Sequence, residues 1–225
     1  MGNFQESGYE IVSGLFTAEE IEKLRIEADR VASEANSVCV RHLSARSEVF
    51  RKLSLSEKLL NLIPEGLISV RSILFDKTPD QNWPVLWHQD LTIAVSEKTE
   101  VEGYGPWSVK EGVIHVQPSV ALLERMVTLR IHLDETSAGN GALKVIPGSH
   151  RRGRISPDSI RDLVPGSEVV CECTAGDVLL MSPLILHASN RSRIPTRRRV
   201  IHVEYAPVEA LAENLTWHES PSSES

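Results

Sequence analysis

Two stretches far apart in the chain hold side chains that could grip a metal ion. One is Trp87-His88-Gln89-Asp90. The other is Leu186-His187-Ala188-Ser189, followed by the adjacent arginines Arg197, Arg198 and Arg199. On a strand, side chains at i and i+2 share a face, so His88 and Asp90 are placed to hold one ion. A single distant histidine would complete two histidines and one carboxylate. That set covers one face of Fe(II) and leaves the other positions open, which suits chemistry with O2. A downstream arginine could hold an acidic cosubstrate through its planar fork.

His-x-Asp alone is a weak pattern, and it occurs twice, at His88-Gln89-Asp90 and at His132-Leu133-Asp134. Starting from His88, more strand-like runs intervene before His187, enough to wrap a barrel. Asp134 opens the acidic turn Asp134-Glu135-Thr136, where a solvated carboxylate is ordinary. The first pair is therefore favoured, and His132 reads as a polar residue on a core strand. Leu184, Ile185 and Leu186 put His187 at the end of a buried strand, where a neutral imidazole is a good ligand. Arg191, Arg193 and Arg197 read as a solvated basic loop. In Arg198-Arg199-Val200-Ile201-His202, alternation turns one of the two arginines inward. A buried arginine needs an anion, either a structural carboxylate or the cosubstrate.

These residues require a scaffold of short strands. Tyr9 to Leu15 reads as a strand. Thr17 and Glu20 form a capping box ahead of a helix whose inner face is Ile21, Leu24, Ala28 and Val31. A second helical stretch, Ser47 to Leu62, is interrupted at Ser54 to Ser56. From Leu67 the pattern becomes β-type: Ile68 to Phe75, Leu86 to Ala94, Met126 to Leu133, Ala142 to Ile146, Glu168 to Cys173, Val178 to Met181, Leu184 to Ala188 and Val200 to Ala206, with Gly and Pro turns between them. The predicted fold is mainly β with N-terminal helices, a jelly roll. One domain is expected over 1–225, with helical support at about 17–62, a β core at about 66–206 and a tail at 207–225. Ser96 to Pro118 reads as a long loop, of the kind that serves as a lid or binding loop. Ser220 to Ser225 reads as a disordered end.

Composition narrows the function classes. The 225 residues carry a formal charge of −7, which argues against wholesale nucleic-acid binding. No apolar run approaches the roughly 18 residues of a membrane span. Met1 to Ser7 lacks the basic-then-apolar order of a secretion signal. Cys39, Cys171 and Cys173 fit a reducing compartment, and the last two read as buried core thiols. A cytoplasmic protein, monomer or homodimer, is expected.

The chain resembles the phytanoyl-CoA dioxygenase family of Fe(II)/2-oxoglutarate oxygenases from about Gly8 to Tyr205. The resemblance rests on Trp87-His88-Gln89-Asp90, on Asn140-Gly141-Ala142-Leu143 leading to Ile146-Pro147-Gly148-Ser149-His150, on His187-Ala188-Ser189, and on the strand from Arg198 to Tyr205. It implies a double-stranded β-helix of the cupin-like kind, with Fe(II) as metal and 2-oxoglutarate and O2 as cosubstrates. It implies that His88, Asp90 and His187 are the ligands. Arg198, eleven residues after His187, would pair with the far carboxylate of 2-oxoglutarate, and Ser189 would help. Arg130 falls where relatives carry a tryptophan lining the cosubstrate pocket, and Arg41 lies near a family lysine. Hydroxylation of a small molecule is the implied reaction. Candidate substrate contacts are Trp83, Tyr104, Trp107 and Arg71. Arg151, Arg152 and Arg154, after the Pro-Gly-Ser-His turn, read as a solvated loop. Two other classes compete: a cupin-like metal-dependent isomerase or hydrolase, which would not use Arg198, and a silent binding protein, which would lack a ligand.

Overall fold

A computed structural model describes residues 4–163, 166–194 and 196–219 of the chain. Ser220 to Ser225 lie outside the described residues. The strands, numbered along the chain, are β1 (Tyr9–Val12), β2 (Cys39–Arg41), β3 (Leu67–Lys77), β4 (Val85–His88), β5 (Ile93–Val95), β6 (Trp107–Lys110), β7 (Val113–Val116), β8 (Val127–His132), β9 (Leu143–Val145), β10 (Val169–Cys171), β11 (Val178–Met181), β12 (His187–Ser189) and β13 (Arg198–Pro207). They form a six-stranded sheet in the order β1-β11-β8-β13-β3-β2, a four-stranded sheet β10-β9-β12-β4 and a three-stranded sheet β5-β7-β6. The pairing is antiparallel throughout these sheets. This is the cupin-like jelly roll.

The helical layer backs the six-stranded sheet. The helix Ala18–Ala35 starts at the Thr17/Glu20 capping box and buries Ile21, Leu24, Ala28 and Val31, the face that periodicity picks out. That face joins Leu74 of β3, Leu129 and Ile131 of β8, and Ile201, Val203 and Tyr205 of β13 in one apolar cluster. Each fully buried Leu or Ile contributes about 1.5–3 kcal/mol by leaving water. Exposed helix pairs such as Lys23–Glu19 are screened by solvent and add little. Packing of helix on sheet therefore dominates. The helices Glu48–Ser54 and Glu57–Leu60 continue this layer, and the break between them falls within the predicted interruption. Tyr205, wholly buried, ties the layers together by donating its hydroxyl hydrogen to the Ser54 carbonyl at 2.8 Å.

The structure departs from the sequence expectations in four places. First, Leu86 to Ala94 is not one strand. Gln89 turns inward, where its amide donates to the carbonyls of Leu184 (2.6 Å) and Gly153 (2.8 Å) and its oxygen accepts from Ile155 N–H. This breaks the ladder after His88, so Asp90 stands just beyond the strand end. Second, Ser96 to Pro118 contains the β6–β7 hairpin, which pairs with β5. Its turn places Glu111 and Gly112 at positive φ, the requirement of a tight two-residue hairpin. Third, Leu184 to Leu186 form no strand, and pairing begins at His187. Fourth, the segment after β13 docks at points on the sheets: Trp217 bridges Val95, and Glu219 accepts from Ser72 Oγ at 2.6 Å. Cys171 and Cys173 lie in an apolar cluster, their thiols pushed up to about 12, chiefly by burial.

Tyr205→Phe removes one buried hydrogen bond between the layers while keeping the ring. It should lower unfolding free energy by about 1 kcal/mol with unchanged denaturant sensitivity. Urea unfolding measures this, and an unchanged midpoint would contradict the tie to Ser54.

Candidate active site

His88 and His187 face each other because β4 and β12 are neighbours. The two residues are directly paired, with ring centroids 4.2 Å apart. Each ring is fixed in the same way: Nδ1 bonds the carbonyl two residues earlier, Leu86 for His88 (2.8 Å) and Ile185 for His187 (2.9 Å). A carbonyl can only accept, so Nδ1 carries the hydrogen and Nε2 is left with its lone pair. Both Nε2 atoms approach Asp90, at 3.7 Å from His88 and 3.6 Å from His187. Asp90 is anchored by its N–H to the Pro183 carbonyl at 2.9 Å.

The three donor atoms lie within 4.8 Å of one another. Neighbouring donors around an ion held at about 2.1 Å stand roughly 3 Å apart, so small side-chain movements bring the set onto a common ion. Two neutral nitrogens and one carboxylate on one side match the open-faced set preferred by Fe(II). Burial opposes ionisation of Asp90, but the neighbouring imidazoles, which carry charge only in acid, and Arg71 pull harder and hold its carboxyl well below the usual range. Burial lowers His187 to about 4, keeping its imidazole neutral at ordinary pH.

A cavity of about 170 Å³ opens beside this set. That is the space of roughly six waters, enough for a small acid. The larger groove of about 870 Å³, between Leu62, Met126 and Leu180, includes none of these three residues. Alternation along β13 sends Arg198, His202 and Glu204 toward the cavity. Arg199 points the other way, donating to both oxygens of Asp134 at 2.9 Å and to Asp29 of the long helix at 2.9 Å. Both adjacent arginines are buried, but only Arg199 has a carboxylate partner. Arg198 donates to the Gly141 carbonyl at 2.6 Å, and its buried Nε has no partner. Gly141 sits at φ +79°, and a Cβ there would stand 2.4 Å from the Asn190 carbonyl oxygen, so only glycine lets this turn approach so closely.

A second polar line crosses three strands. Arg71 of β3 pairs with Glu204 of β13, and Glu204 accepts from His202 Nε2 at 3.0 Å. Arg130 of β8 donates to His202 Nδ1 at 3.0 Å. The Arg130 donor makes Nδ1 an acceptor, which fixes the His202 tautomer with its hydrogen on Nε2. Arg130 also lies over the Phe75 ring, 5.4 Å from its centre. Lys77, at the end of β3, donates to Ser189 Oγ at 2.9 Å and to the Trp83 carbonyl at 2.7 Å.

The structure thus brings His88, Asp90, His187, Arg198, Ser189, Arg130, Arg71 and Trp83 to one cavity. It does not bring in the others. Arg41 turns to Glu111 on the hairpin at 2.6 Å, because β2 is the sheet edge and the hairpin carboxylate lies over it. Tyr104 and Trp107 pack against the apolar cluster of Ile93, Val116 and Trp217. The rival pair His132/Asp134 is split. His132 bonds Thr136 Oγ1 at 2.8 Å, and Asp134 is held by Arg199 rather than solvated. Arg197 is likewise no free loop residue, since it grips Asp76 at 2.6 and 2.9 Å. Lys77, His202 and Glu204 were not anticipated. A signal existed for Lys77: counting by twos from Arg71 along β3 puts it on the same face.

The fold and this site together define a class, the non-haem iron oxygenases built on a jelly roll. The chain belongs to the phytanoyl-CoA dioxygenase family, whose sequence model matches residues 4–200. Membership makes it an Fe(II)- and 2-oxoglutarate-dependent oxygenase, an oxidoreductase. Among solved structures it is similar to EctD from S. alaskensis with 2-oxoglutarate and 5-hydroxyectoine, at 21% identity and TM-score 0.73 over 94% of this chain and 76% of that one. It is also similar to HygX from Streptomyces hygroscopicus with nickel, 2-oxoglutarate and hygromycin B bound, at 19% identity and TM-score 0.66 over 92% and 85% of the two chains. A third similar structure is the non-heme alpha-ketoglutarate-dependent epimerase SnoN from nogalamycin biosynthesis, at 16% identity and TM-score 0.67 over 92% and 81%. No curated protein matches the sequence.

The buried imidazoles set a pH dependence of stability. Burial lowers His132 to about 3, with Arg130 and Arg198 acting in the same direction, and burial lowers His115 to about 4. In the unfolded chain such groups titrate near 6.5, so below that pH the unfolded state binds protons that the folded state refuses. Stability present above about pH 6.5 is therefore lost as pH falls toward 4. The melting temperature of the metal-free protein should decline over this window. A flat profile would mean that these rings are charged in the native state.

Proposed function

We propose that His88, Asp90 and His187 hold Fe(II), that Arg198 with Ser189 receives the distal carboxylate of 2-oxoglutarate, and that the protein hydroxylates a C–H bond of a small molecule. One observation carries this reading. Arg198 is buried, has among the described residues no partner for Nε and no carboxylate, and lines the same cavity as the two histidines and Asp90. A guanidinium so placed lacks the anion that its burial requires. A dicarboxylate spanning from metal to arginine supplies it.

When bound, iron and 2-oxoglutarate would activate O2, the oxidant, with one oxygen atom ending in succinate as carbon dioxide is lost and the other in the hydroxylated product. The chain's residues do the positioning. The Nδ1 bonds to Leu86 and Ile185 keep both imidazoles presenting Nε2. Asp90 would supply the carboxylate ligand where a small residue would leave room for a halide, which favours hydroxylation over halogenation. Arg130, with a buried and unpartnered Nε, forms a second cationic wall of the cosubstrate pocket. Trp83 and Arg71 line the same cavity and would meet a substrate there, with Arg71 neutralised by Glu204. A cupin-like isomerase or hydrolase would have no use for the cation at Arg198.

Two measurements test the reading. Fe(II) and 2-oxoglutarate added without oxygen should produce a weak visible charge-transfer band; no band even at high iron would sink it. Arg198→Ala should weaken 2-oxoglutarate binding by about 10–100-fold, the size of a charge-assisted bond. The same change should leave metal affinity within about threefold, and equal loss of both would mark Arg198 as structural.

A further inference from the structure

Lys77 and Arg198 are direct partners in the β3–β13 ladder. Like charges directly opposite on a sheet repel, and both of these are buried. Among the described residues neither has a carboxylate partner. Lys77 Nζ bonds only neutral oxygens, Ser189 Oγ and the Trp83 carbonyl, while Arg198 bonds the Gly141 carbonyl. Arg130 adds a third cation to the same cavity, and its one side-chain partner is the neutral His202. Other buried cations of this sheet are matched: Arg71, also at the cavity, with Glu204, and Arg199 with Asp134. The mismatch is confined to the cavity.

A neutral amine has two N–H donors and one lone pair. The two acceptors on Nζ account for both donors, which leaves one position of the nitrogen for the cavity. The groups facing it are Arg198 from β13, Arg130 from β8, Ser189 from β12 and the Trp83 ring, whose centre lies 5.2 Å away. None is an anion.

We propose that Lys77 is a second cation for the distal carboxylate of 2-oxoglutarate, opposing Arg198 across the ladder, and that it takes up a proton from solvent when the cosubstrate binds. The inference rests on the oxygenase reading above. The only bond formed is N–H, as amine and solvent proton become ammonium. The energetics agree. Burial, then Arg198 and Arg130, lower Lys77 to about 7. A carboxylate arriving between the cations favours the charged form and raises that value. Affinity should therefore be greatest below about pH 7 and fall by up to about tenfold per pH unit above it, until the lysine in the complex itself loses its proton. Lys77 would make cosubstrate capture sensitive to pH near neutrality without touching the metal.

The test titrates 2-oxoglutarate into the anaerobic Fe(II)-loaded protein at pH 8, by calorimetry in two buffers of different ionisation enthalpy. Wild type should take up close to one proton. Lys77→Met should bind at least about tenfold more weakly, the loss of a charge-assisted bond, with no proton uptake. Lys77→Arg, charged throughout, should restore binding to within a few-fold while also taking up no proton. If Lys77→Met binds and takes up protons like wild type, the proposal is overturned. If Lys77→Met weakens binding but Lys77→Arg does not restore it and wild type takes up no proton, Lys77 merely braces Ser189 and Trp83, and the proposal is again overturned. If wild type gives no binding heat and no charge-transfer band, the oxygenase reading itself fails, an outcome distinct from the others.

Discussion

The structure depends on the register of β13. It pairs along both edges, with β3 on one side and β8 on the other, and side chains alternate across it. Ile201, Val203 and Tyr205 close the apolar layer under the helices. Arg198, His202 and Glu204 face the cavity, and Arg199 reaches back to Asp134 and to Asp29 of the long helix. A slip of one residue would exchange the two sets. It would push Arg198, His202 and Glu204 into the helical core and turn Ile201, Val203 and Tyr205 toward the cavity. The force that fixes the register, burial of the Ile, Val and Tyr face, is thus also what aims the arginine.

The cavity violates the rule that buried charges come paired. On the same sheet the rule is kept wherever no ligand is expected, which makes the exceptions informative. The sheet is rigid enough to hold Lys77 and Arg198 opposite each other without an anion. The energy lost in that arrangement is available as affinity for whatever anion fills it. The His202 line works differently. Its hydrogen bonds link Arg71, Glu204, His202 and Arg130 in one chain, so it holds Arg130 in one orientation while leaving that cation without an anion.

Much of this was legible in the sequence, for identifiable reasons. The capping box at Thr17 and the spacing of Ile21, Leu24, Ala28 and Val31 are local signals, and the helix follows them. The two His-x-Asp matches were separable because the turn at Asp134 and the strand order favour His88, and the structure puts only His88 and Asp90 beside His187. What escaped notice was set by partners distant in sequence. The β6–β7 hairpin turns on Glu-Gly, a weak turn signal, and its strands are short. Gln89 breaks a plausible strand because carbonyls at Gly153 and Leu184 claim its amide. Arg41 loses its expected role to Glu111, seventy residues further along the chain. Alternation puts Lys77 on the face of Arg71, but that it stands opposite Arg198 follows from the β3–β13 register, which no local pattern reveals.

The cation-lined cavity sits in a chain whose overall formal charge is −7. A dicarboxylate diffusing toward the protein therefore meets opposing fields. Far from the surface the net charge repels it weakly, and at physiological salt that repulsion fades beyond about 8 Å. Within the mouth the field reverses, because low-dielectric walls concentrate the potential of the buried cations. Encounters over most of the surface are consequently unproductive and brief, while arrival at the mouth is drawn inward. The protein discriminates among small anions by the place of their arrival before it discriminates by their shape.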